Sequence, residues 1–74
     1  MIINNLMGLR VASIHYPAWS EYFDENYILI DQNEDYILIG PYRIEKSIIQ
    51  SVSREKKTIR IDTAYHHCVR INLF

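Results

Sequence analysis

Apolar and polar residues alternate with a period of two through much of the second half of the chain. Thr58-Ile59-Arg60-Ile61-Asp62-Thr63 and Val69-Arg70-Ile71-Asn72-Leu73 each place an aliphatic residue at every other position. That period collects the apolar set on one face of a β-strand. Ile48, Gln50 and Val52 alternate with Ile49, Ser51 and Ser53, and the charged segment Arg54-Glu55-Lys56-Lys57 follows. A hairpin is predicted with that tetrapeptide as its turn, setting Val52 opposite Ile59. A loop over Ala64 to Cys68 then sets Ile61 opposite Ile71 and Ile59 opposite Leu73. The same register puts Asp62 across from Arg70 on the solvent side.

Earlier in the chain stands the near-repeat Tyr27-Ile28-Leu29-Ile30-Asp31 and Tyr36-Ile37-Leu38-Ile39-Gly40. The polar tetrapeptide Gln32-Asn33-Glu34-Asp35 between them predicts another hairpin. With Asp31 paired to Tyr36, Ile28 faces Ile39 and Ile30 faces Ile37. The opposite face carries Tyr27, Leu29, Tyr36 and Leu38, so the ribbon is expected to be covered on both sides. Gly40-Pro41 breaks the ladder, because proline has no amide proton to give. Leu9 to Tyr16 reads as a strand with Arg10, Ala12, Ile14 and Tyr16 on one side. Pro17 ends it, leaving room for one short helical turn near residues 17–24.

These elements predict a mainly β chain, one small domain over residues 1–74, built as an antiparallel five- to six-stranded meander or barrel. Small barrels of the SH3-like or Sm-like kind are the leading architecture. The expected inward set is Ile28, Ile30, Ile37, Ile39, Val52, Ile59, Ile61 and Ile71.

Composition narrows the picture. With 49% hydrophobic and 23% charged residues the chain lies in the globular range. A single cysteine, Cys68, cannot form an intrachain disulfide. The longest unbroken apolar runs are four residues, as at Tyr27–Ile30, far short of the roughly 20 needed to span a membrane. The expected setting is cytoplasmic, with no membrane contact. Net charge is −1, but it is polarised. Residues 1–41 hold one base and six acids, whereas residues 42–74 hold seven bases and three acids. Such asymmetry points to a charged partner.

Catalytic and metal chemistry find little support. His66-His67-Cys68, even with His15 as a further ligand, lacks metal-site spacing and reads as a polar hairpin loop ending in a semi-buried thiol. The carboxylates between Glu21 and Asp35 have no calcium-loop pattern. The two glycines, Gly8 and Gly40, form no phosphate loop. No enzyme activity, cofactor or metal is expected.

The segment from His15 to Tyr27 is different, packing Tyr16, Trp19, Tyr22, Phe23 and Tyr27 with Glu21, Asp24 and Glu25 and no lysine or arginine. Tyrosine and tryptophan are the usual interface anchors, and carboxylates around them steer toward a basic surface. The expectation is a protein-binding module with Tyr16, Trp19, Tyr22, Phe23, Asp24 and Glu25 as contacts. A small phage or mobile-element inhibitor occluding a basic surface of a host protein fits this description. The rival structural role is that Trp19 and Phe23 plug one end of the barrel. Nucleic acid is the alternative partner, through Arg54, Lys56, Lys57 and Arg60. A third possibility is a self-assembling protein, dimerising through the Tyr27–Gly40 hairpin.

Overall fold

A computed structural model of the chain describes residues 6–23 and 28–74. Eight strands lie among the described residues: β1 (Val11–His15), β2 (Ser20–Tyr22), β3 (Ile30–Gln32), β4 (Tyr36–Ile39), β5 (Tyr42–Glu45), β6 (Ile49–Glu55), β7 (Thr58–Thr63) and β8 (Cys68–Leu73). They form a five-stranded antiparallel sheet in the order β2-β1-β8-β7-β6 and a three-stranded one in the order β3-β4-β5. The sheets stay open, so the expected barrel is corrected. Closure would require β5 and β6 to pair. A single 3₁₀ turn, Lys46–Ile48, joins them instead. β6 also carries a bulge at Gln50 and a row of exposed polar side chains, both of which discourage edge pairing.

The stretch leading into β1 ties the sheets together. Gly8 N–H donates to Ile30 O, Ile30 N–H to Leu9 O and Val11 N–H to Ile28 O, at 2.8–2.9 Å. One extended segment therefore serves β3 with its first half and β2 with its second. A bulge at Ala12 shifts the β1–β8 register. It turns both Val11 and Ile14 inward, three residues apart, which splits the single face expected for Arg10, Ala12, Ile14 and Tyr16.

Three hairpins are tighter than predicted, each by two residues. Ile30 pairs with Ile39, Val52 with Ile61, and Ile61 with Val69. In the first, the Asn33 side chain accepts from the amides of Asp35 and Tyr36, at 2.8 and 3.0 Å, and draws the loop into an Asx turn. In the second, Lys56 adopts φ 56°, so the loop shrinks to Lys56-Lys57. In the third, His66 at φ 63° ends a three-residue loop in the left-handed region. A shift of two preserves side-chain parity, so the inward faces are as expected while the cross-strand partners differ. Asp62 thus faces Cys68, and Arg70 faces Arg60.

Two strands replace other expectations. Gly40-Pro41 does not end the ladder but turns it, with Ile39 paired to Tyr42. Gly40 has φ 56° at the first loop position, as a type II′ turn requires, and proline suits the second. No helical turn lies in the described part of residues 17–24. Tyr16 N–H donates to Trp19 O at 2.8 Å, closing a tight hairpin over Pro17-Ala18, and β2 follows.

The core lies between the sheets. Val11, Ile14, Ile59, Ile61, Val69, Ile71 and Leu73 come from the larger one, and Ile30, Ile37, Ile39 and Ile44 from the smaller, joined by Leu6. Ile28 and Val52 pack at its margin, half-buried. The outer face of the β3–β4 ribbon is not fully covered: Leu29 is exposed, and Tyr36 and Leu38 are half-buried. Each fully buried aliphatic side chain contributes about 1.5–3 kcal/mol.

Candidate interaction surfaces

The β1–β2 hairpin presents different chemistry on its two faces. On the face turned toward the smaller sheet, Tyr16 and Trp19 are partners across the turn. Their rings stack at 4.5 Å with planes 18° apart. Trp19 also packs on Tyr42 of β5, at 4.8 Å and 38°. The Tyr42 hydroxyl donates to Glu21 Oε1 at 2.5 Å. That hydrogen bond, helped by burial and the carboxylate charge, raises the Tyr42 pKa, and burial raises that of Tyr16. Trp19 therefore rests on two rings that pack at the margin of the core, Tyr16 and Tyr42, and keeps 40% of its own surface exposed.

The other predicted contacts disperse. Phe23 turns to the core margin, where its ring lies beside Gly40 and Ile28. Tyr22 points to the outer face and is 71% exposed. Asp24 and Glu25, like Tyr27 of the proposed dimer hairpin, lie outside the described residues.

The outer face of the larger sheet carries an array that sequence reasoning missed. Register aligns Ser53, Arg60, Arg70, His15 and Ser20 in one row across its strands. Glu55, Thr58, Asn72, Ser13 and Tyr22 form the next. Asn72 Nδ2 donates to Ser13 Oγ at 3.2 Å and approaches His15 Nε2 at 3.1 Å, while Thr58 Oγ1 donates to Asn72 Oδ1 at 3.2 Å. Ser13, 3% exposed, thereby has its hydroxyl satisfied. His15 Nδ1 and Ser20 Oγ share a hydrogen bond at 2.8 Å, while Ser13 Oγ and Asn72 Nδ2 both face His15 Nε2. The Tyr22 ring meets His15 edge-on at 5.4 Å. The alternation of Ser13 with His15 was visible in the sequence, but their partners depend on β8 returning beside β1.

Of the predicted nucleic-acid residues, Lys56, Lys57 and Arg60 line one groove with Ser53, Glu55, Thr58 and Arg70. Arg54 is opposite Ile59, with the parity of the inner face, and its Nε donates to Lys56 O at 3.2 Å. Arg60 Nε contacts Asp62 Oδ1 at 3.3 Å. The Ser51 hydroxyl at 3.0 Å, followed by the Arg60 guanidinium, holds the Asp62 carboxyl below its ordinary value. His66 and His67 are exposed in the β7–β8 loop and Cys68 is half-buried. Among the described residues no His, Cys, Asp or Glu group has metal-binding geometry, and no helix is long and apolar enough to cross a membrane.

Comparison with protein-family models, curated proteins and solved structures yields no match.

Proposed function

We propose that the chain is a non-enzymatic protein-binding module that docks its Tyr16–Trp19–Tyr42 surface on a partner with a basic face. The observation that carries this reading is Trp19, exposed yet braced by two aromatic rings from two different sheets. A large side chain already held in place loses little entropy on binding, which is what makes tryptophan an effective anchor. Glu21, fixed by the Tyr42 hydroxyl, sets a carboxylate beside the rings. A lysine or arginine of the partner can meet both the ring face and the negative charge. Asp24 and Glu25 follow in sequence and add to the acidity of this half of the chain. Occlusion of a partner's nucleic-acid-binding surface, in a cytoplasmic setting, is the action that such acidic-aromatic chemistry suits.

The test is affinity capture with the wild-type chain, Trp19→Ala and Glu21→Lys, with circular dichroism to establish that each variant is folded. Loss of a reproducibly captured basic protein from both variants supports the reading. Equal recovery of that protein by all three sinks it.

A further inference from the structure

We propose that the outer face of the five-stranded sheet binds single-stranded nucleic acid, with Arg60 and Arg70 holding phosphates and Tyr22 stacking a base. Arg60 and Arg70 are directly opposite one another on β7 and β8. Like charges in that position repel, and a sheet stabilised for its own sake would place a carboxylate or a neutral residue there. Arg60 Nε lies 3.3 Å from Asp62 Oδ1, and the Arg60 side chain nonetheless stays 59% exposed. Arg70 has no ion pair among the described residues. Two guanidinium groups side by side form a strong receptor for phosphate oxygens, since each offers a planar set of donors.

The surroundings extend this charge in one direction and change its chemistry in the other. Lys56 and Lys57 continue the groove at the β6–β7 turn, so four cationic side chains line it against the single carboxylate of Glu55. Across β1, the row runs through His15 to Ser20, and the next row ends at Tyr22. Strand spacing and rise put Tyr22 about 12 Å from Arg70, two strands over and one two-residue step along. Among the described residues its phenol ring is the exposed aromatic of this face, and the edge contact with His15 steadies it. A basic strip with an aromatic platform at its far end is how sheets bind single strands, the charges tracking the backbone while a ring stacks on a base. A duplex keeps its bases stacked internally and would use the charges but not Tyr22. This surface is on the opposite side of the sheet from the Trp19 cluster, so the inference goes beyond the protein-binding reading and stands apart from it.

Fluorescence anisotropy with labelled oligo(dT) and oligo(U) provides the test, using the full chain at low salt. With three to four phosphates neutralised, affinity is expected to fall about 20- to 50-fold between 50 and 200 mM salt. Arg60→Glu with Arg70→Glu should abolish binding. Tyr22→Ala should weaken it about 5-fold or more with an unchanged salt slope, as loss of one stacked base implies. Trp19→Ala should bind as the wild type does, which separates this surface from the docking surface. All four sites are exposed, and circular dichroism verifies folding. Three outcomes overturn the proposal. These are no anisotropy change at low salt, duplex or heparin bound as tightly as single strands, and binding that is indifferent to Tyr22.

Discussion

Trp19 and Tyr42 belong to different sheets, and their rings meet at 4.8 Å with planes 38° apart. The contact links the β1–β2 hairpin to the first residue of β5 at a margin where the sheets share no backbone pairing. A side chain offered as a docking anchor is thus also part of what holds the sheets together. Function and stability are coupled at this one residue.

Trp19→Ala is expected to lower stability by about 1–2 kcal/mol, because it removes two ring contacts and a partly buried apolar surface. For a chain of this size that is a fall in Tm of about 4–8 °C per kcal/mol. Trp19→Phe retains a ring and should recover most of the loss. Thermal melts of the three proteins decide the matter, and an unchanged Tm for Trp19→Ala would show that the indole is a passenger.

Tyr42 makes the same link titratable. Its folded pKa is raised above 10.0, first by the hydrogen bond to Glu21. A group with a raised folded pKa contributes stability that is intact below its unfolded pKa and lost as pH rises through the folded one. The wild type should therefore lose more stability than Tyr42→Phe when pH is taken from 9 to beyond 10. Urea titrations at several alkaline pH values would show this as converging midpoints.

Lys56 and His66 hold left-handed backbone, at φ 56° and 63°, without being glycine. That conformation costs an ordinary L-residue about 1–2 kcal/mol. Lys56→Gly and His66→Gly should each stabilise the fold by up to about 1 kcal/mol, less the extra entropy that glycine has in the unfolded chain. Gly40→Ala should do the reverse. Its Cβ would sit at an ordinary 3.6 Å from Ile28, so the penalty there is conformational and not steric. Denaturant midpoints for the three variants test the set together.

The same two residues explain what was legible in the sequence. Strand periodicity identified the inward side chains Ile30, Ile37, Ile39, Ile59, Ile61 and Ile71, because burial of one face enforces parity. Loop length is set by finer effects: an Asx turn at Asn33 and left-handed lysine and histidine, which carry no glycine signal. Every register consequently moved by two, which kept the core and changed the neighbours on the outer face. Arg60 opposite Arg70, and the Ser13–His15–Asn72 network, could not be read without those registers and the return of β8 beside β1. The aromatic segment was recognisable by composition. Its division between two faces depended on a hairpin at Pro17-Ala18 that residue preferences alone left open to a helical turn.

Asp62 supplies an acid-side counterpart. The Ser51 hydroxyl and then Arg60 depress its folded pKa below 3.8. A depressed carboxyl contributes stability that is present above the unfolded value and disappears as pH falls through the folded one. The stability difference between wild type and Asp62→Asn should be largest near neutrality and shrink below pH 3.8. A gap that stays constant down to pH 2 would mean that Asp62 acts only through its shape and hydrogen bonds.

The Arg60–Arg70 pair makes the sharpest prediction, because it sets stability against binding. Arg70→Thr removes a like-charge neighbour and introduces a residue with high strand preference. It should be stabilising by about 0.5 kcal/mol, and more so at low salt, where repulsion between exposed charges is less screened. The same substitution removes one of the two proposed phosphate ligands and should weaken oligonucleotide binding. Melts at two ionic strengths, paired with anisotropy on the same samples, read both quantities at once. A variant that melts lower than the wild type would show that Arg70 supports the sheet, and the charge pair would then need no ligand to explain it.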